Sequence, residues 1–155
     1  MANVAIRNQI LDELLGKAQE ALLPPWSVQE VEPGDDTAVG ARILWLTNAG
    51  EDVVNRDSMT ETKDLRIDAV IQFGHEDAGS GEGPVHHEAD LVAQVEAALV
   101  GGARGVTYDD LQEDSWAPIV PQDGVTRSYG RVLVKFRARY RHNVGDPYHF
   151  TQVGS

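Results

Sequence analysis

The sequence predicts an α+β fold: a mainly antiparallel sheet of four to five strands with two helices packed on it, a two-layer sandwich. Three observations carry that expectation. Two stretches, residues 3 to 22 and 84 to 100, place apolar side chains at helical spacing. Two others, Lys63 to Phe73 and Arg131 to Arg141, alternate apolar and polar residues at strand spacing. The order is helix, two or three strands, helix, two strands, and strands that follow one another through short turns favour antiparallel pairing beside a helical layer.

The first helix repeats Ile6, Ile10, Leu14 and Ala18, and Leu11, Leu15 and Leu22 widen its stripe. Pro24-Pro25 stops it, because proline has no amide hydrogen and restricts the residue before it. A short extended piece then leads to a turn at Pro33-Gly34-Asp35-Asp36. Ala41 to Thr47 reads as a short strand, and Asn48-Ala49-Gly50-Glu51-Asp52 as turn chemistry. Val53 to Met59 fits no pattern. In Lys63 to Phe73, Leu65, Ile67, Ala69, Ile71 and Phe73 alternate with Arg66, Asp68, Val70 and Gln72.

Gly74 to Gly83 is glycine-rich and polar, and reads as a mobile loop. Pro84 suits a first helical turn, Leu91, Val92, Val95, Ala98 and Leu99 form the stripe, and Gly101-Gly102 ends the helix. Val106 to Trp116 reads as a strand anchored by Tyr108, Leu111 and Trp116, with Asp109, Asp110, Glu113 and Asp114 outside. Pro118, Pro121 and Gly124 then make a loop. The last strand turns Val132, Val134, Phe136, Ala138 and Tyr140 to one face, and Arg131, Lys135, Arg137, Arg139 and Arg141 to the other, with Leu133 the one apolar intruder. The tail from 142 to 155 is weakly patterned.

A chain of 155 residues, 41% of them apolar, suits one domain with its own core. With no cysteine it has neither disulfides nor thiolate chemistry, which fits a reducing compartment. No apolar run approaches the roughly 20 residues of a membrane helix, and the N-terminal segment lacks a signal-peptide profile. The expectation is a soluble intracellular product.

The formal net charge of -12 argues against a free nucleic-acid binder, although Arg127 to Arg141 holds six of the 13 basic residues and none of the 25 acidic ones. That cationic stripe needs a partner. Within the chain the acids of the preceding strand, Asp109, Asp110, Glu113 and Asp114, would face it if the two strands pair, each opposite-charge pair contributing about 0.2–1 kcal/mol. Between subunits, a basic face meeting an acidic one is a head-to-tail contact that closes into a ring when the rotation permits.

The candidate metal ligands are His75, Glu76 and Asp77 with His86, His87, Glu88 and Asp90, suitable in type for zinc or manganese but lacking a His-Glu-x-x-His spacing. A solvated acidic loop beside a helix N-terminus accounts for the same residues. No Gly-x-Ser-x-Gly occurs, and Gly79-Ser80-Gly81-Glu82-Gly83 lacks the lysine of a phosphate loop. No catalytic residue, metal or cofactor is expected.

Four features together resemble the tail terminator (tail completion) proteins of long-tailed bacteriophages: the helix Ile6–Leu22 running into Pro24-Pro25, the strand pair Ile43–Leu46 and Leu65–Phe73, the helix Glu88–Leu99, and the late strand Gly130–Arg141 followed by Asp146-Pro147. The resemblance spans most of the chain as a pattern and has no single diagnostic motif. It implies a structural, non-enzymatic virion protein, a homo-oligomeric and hexameric ring on the head-proximal end of the tail. Its partners would be the tail tube protein and a head-completion or connector protein, with DNA passing through unbound and no membrane contact. The stripe of Arg131, Lys135, Arg137, Arg139 and Arg141 would be the subunit or tube contact, and the acidic loops candidates for the channel lining. The rival readings are another head–tail connector or minor tail protein, a small metal-dependent enzyme built on His75, His86 and His87, and an adaptor for acidic proteins.

Overall fold

The computed structural model describes residues 4–33, 41–74, 84–101, 105–120 and 129–151, with the backbone alone for 84–87. Two helices, α1 (Ile6–Ala21) and α2 (Pro84–Leu99), and five strands, β1 (Trp26–Gln29), β2 (Arg42–Arg56), β3 (Thr60–Gly74), β4 (Asp110–Ile119) and β5 (Tyr129–Asn143), build the α+β fold. The strands form one sheet in the order β1-β2-β3-β5-β4, parallel between β1 and β2 and antiparallel elsewhere.

Both helices pack on the same face of the sheet. Ile6, Ile10, Leu14 and Ala18 of α1 and Leu91, Val95 and Leu99 of α2 join Leu44, Leu46, Leu65, Ile67, Ile71, Val132, Val134 and Phe136 in a single buried core. The alternation seen in the sequence is the reason: from Leu65 to Phe73 in β3 and from Val132 to Tyr140 in β5, every second residue is apolar and turns inward. The first turn of α1 has no side-chain cap. The carbonyl of Pro147 accepts the Ile6 amide at 2.9 Å instead, and Gln9 Nε2 donates to Tyr148 O at 2.9 Å, so the C-terminal segment caps the N-terminal helix. Among the described residues no helix is long and apolar enough to cross a membrane.

The sequence reading is corrected at four places. Asn48 to Asp52 is not a turn but the middle of β2, which continues to Arg56. The turn residues there serve a β-bulge: register shifts between Asn48 and Glu51, Gly50 takes φ 106°, and the Asn48 side chain accepts the Gly50 amide. The patternless segment Val53 to Met59 is the end of that strand and the hairpin turn, where the Asp57 carboxylate accepts the amides of Met59 and Thr60 at 2.8 and 2.7 Å. The fourth strand starts at Asp110 rather than Val106, because the Glu13 carboxylate on α1 draws in the amides of Val106 and Thr107 at 2.9 Å each and holds them out of the sheet. Pro118 lies inside β4 rather than in a loop, which an edge strand tolerates. The turn at 33–36 and the loop at 74–83 fall almost wholly outside the described residues, which include only Pro33 and Gly74.

Candidate functional site

The sheet face turned away from the helices holds the stripe that the sequence singled out. β5 lies between β3 and β4, so its outward side chains meet a strand on each flank. Register sets the neighbours: Arg139 stands between Asp64 and Asp110, Arg137 between Arg66 and Gln112, Lys135 between Asp68 and Ser115. Arg141 lies opposite Thr62, and its charge helps hold the Asp57 carboxyl below its ordinary pKa, after the amides and hydroxyl of the turn.

Asp64 is the hub. Its side chain is 6% exposed, and Arg139 grips it with two bonds, Nε to Oδ1 at 2.9 Å and Nη2 to Oδ2 at 3.1 Å. Arg137 Nη1 approaches the same carboxylate at 3.5 Å. A planar guanidinium matched to both carboxylate oxygens is the strong form of an ion pair. The hydrogen bond and charge of Asp64 raise the Arg139 pKa further above its already high value. At the far end of the strand Arg131 donates to Gln72 Oε1 at 2.8 Å and pairs with Glu32 at 2.9 Å. Its guanidinium also lies 5.4 Å from the Trp45 ring centre and 5.3 Å from that of Tyr129, within cation–π range.

The acidic residues assigned as partners divide. Asp110 faces Arg139, and the extra residue of a bulge between Glu113 and Ser115 brings Asp114 to 3.4 Å from Arg137. Asp109 contributes its backbone, donating its amide to Arg139 O at 2.7 Å. Glu113 is not among these partners: it lies opposite Phe136, on the helix side, beside Glu96 of α2. Burial first, then the hydrogen bond and charge of Glu96, raise its pKa. The principal partner, Asp64, was missed because β3 and β5 are separated in sequence by α2 and β4. The signal was its place in the strand, one step outward of Leu65.

Among the described residues the outer face is therefore a balanced ionic lattice. Its cations are Arg66, Arg131, Lys135, Arg137, Arg139 and Arg141; its carboxylates are Asp52, Asp64, Asp68, Asp110 and Asp114, with Glu32 reaching in. The helical layer is net negative: every formally charged residue of α2, Glu88, Asp90 and Glu96, is acidic, and α1 carries Asp12, Glu13 and Glu20 against Arg7 and Lys17.

Of the metal candidates, His75, Glu76 and Asp77 lie outside the described residues, and His86 and His87 are described by backbone alone. Among the described residues no three His, Asp or Glu side chains gather as a metal site. No protein-family model matches the chain, and no curated protein matches it.

Proposed function

We propose that this chain is a structural subunit of a phage virion, a tail terminator that assembles as a homo-oligomeric ring on the head-proximal end of the tail tube. In that role it stops tube polymerisation and offers the surface on which a head connector sits. The observation that carries the reading is the division of charge between the two layers. Binding to nucleic acid draws on cations that neutralise phosphate, and here Asp64, Asp114 and Glu32 already engage the arginines of β5. An ionic lattice on a wide sheet suits protein contact, where matched charges fix register and exclude wrong partners.

The helical layer suits the other requirement. A ring that turns α1 and α2 towards its channel presents Glu88, Asp90, Glu96, Asp12 and Glu20 to passing DNA. Like charge keeps the phosphate backbone from adhering and leaves it free to slide. The resemblance described above supplies the tail and the ring; the charge division fits both.

Light scattering at several concentrations, with and without tail tube protein, tests the assembly. A mass of about six subunits and tubes of fixed length in the presence of the protein are expected. A strict monomer under all conditions, including with the tube, would overturn the reading.

A further inference from the structure

The hairpin of β2 and β3 ends in an exposed apolar tip. Val53, Val54 and Met59 are 57%, 45% and 74% exposed, and Val144, whose amide donates to Met59 O at 2.9 Å, adds another exposed side chain. Exposed apolar side chains gathered near one turn of a charged chain make a candidate contact surface. The tip is also firm. The Asp57 carboxylate holds two amides of the turn and the Thr60 hydroxyl, at 2.8, 2.7 and 3.0 Å. A preformed knob spends little ordering free energy on docking.

An apolar groove of about 430 Å³ lies at the other end of the molecule, between the end of α1 and the second half of α2. Leu23, Pro24, Pro25 and Ala97 line it, and Trp26 closes one wall, its indole donating to Gln94 Oε1 at 2.9 Å. Arg42 stands at the same wall, its guanidinium 5.9 Å from the Trp26 ring centre. β2 begins at this groove and ends at the hairpin, so its 15 residues set the two surfaces apart, by roughly 45 Å at the usual rise per residue.

We infer that the hairpin tip of one copy docks in the groove of a second copy. The apolar tip matches the apolar walls, and the negative charge of Asp57 beside the tip complements the positive charge of Arg42 beside the groove, whose guanidinium also donates to Gln94 Oε1 at 3.2 Å. Two different surfaces at opposite ends of one chain make a head-to-tail contact, which propagates from copy to copy and closes when the rotation allows. The inference rests on the ring proposed above and names the contact that forms it.

The absence of cysteine makes the test clean. Met59→Cys and Ala97→Cys are introduced together, and also singly. Treatment of the double variant with a short bis-maleimide is expected to give a ladder of linked oligomers, and an equimolar mixture of the single variants a linked dimer. Met59→Asp, checked for native circular dichroism, is expected to lower the assembled fraction at least tenfold. Oligomers by light scattering without cross-linking would overturn the contact and leave the ring standing. So would Met59→Cys linking to itself as readily as to Ala97→Cys, or linking only to added tail tube protein. A strict monomer would remove the ring and this contact with it.

Discussion

Replacing Asp64 with alanine tests whether the stripe is neutralised inside the subunit. The substitution removes both bonds to Arg139, at 2.9 and 3.1 Å, and the 3.5 Å approach of Arg137. Hydrogen bonds to charged groups contribute a net of about 1.5–3 kcal/mol, and breaking a fully buried pair costs about 3–5 kcal/mol. Asp64 is buried, but the side chains of Arg137 and Arg139 are 39% and 45% exposed, so water takes up much of their charge once the carboxylate is gone. The expected loss is about 2 kcal/mol. Urea unfolding should show it as a lower midpoint at unchanged slope, and thermal unfolding as a fall of roughly 4–8 °C for a chain of this size. The variant should also elute from heparin at higher salt than the parent, because two guanidinium groups lose their counter-charge. A loss below about 0.5 kcal/mol together with unchanged heparin elution would refute the neutralised lattice.

Further expectations follow from single positions. Phe136, 1% exposed at the centre of β5, should cost about 3–5 kcal/mol on truncation to alanine by denaturant unfolding. Gly130→Ala would set a Cβ 2.7 Å from the Phe73 ring, so a loss of about 1–3 kcal/mol is expected, relieved in part when Phe73 is shortened to leucine. For Glu113 the folded pKa is raised above the ordinary 4.5. The contribution of the protonated pair with Glu96 is therefore full below that value and lost as pH rises through the folded one. Glu113→Gln should be more stable than the parent at neutral pH and lack this slope. Burial and the nearby Glu13 push Tyr108 up to about 12 from 10.0, so stability should fall between pH 10 and 12, and Tyr108→Phe should remove that part of the fall.

Periodicity made most of the architecture readable. The inward parity of β3 and β5 and the stripes of both helices are local patterns that burial enforces, and the core follows them closely. What depended on distant contacts was hidden. Asn48-Ala49-Gly50 has the chemistry of a turn, and only the pairing of β2 with β3 makes it a bulge. Val106 and Thr107 look like strand until the Glu13 carboxylate, far back on α1, claims their amides. The stripe of Arg131, Arg137 and Arg139 was visible at once, whereas Asp64 needed the knowledge that β5 lies beside β3. Asp114 reaches Arg137 through a bulge that no sequence pattern announces.

The strand order also has a kinetic meaning. The β2–β3 hairpin closes locally, through a turn held by Asp57, and hairpins of this kind form in about 1–10 μs. The pairing of β3 with β5 joins residues as far apart as Thr60 and Asn143, and the Ile6 amide waits for the Pro147 carbonyl near the other end of the described chain. Contacts so distant in sequence carry the loop-closure entropy that slows folding to milliseconds or longer. Until β5 arrives, the central strand β3 has an unpaired edge and Asp64 has no guanidinium. The part of the ionic lattice built on Arg131, Arg137 and Arg139 therefore forms only with that distant pairing, and chains in which β5 is not yet in place expose the β3 edge to misassociation.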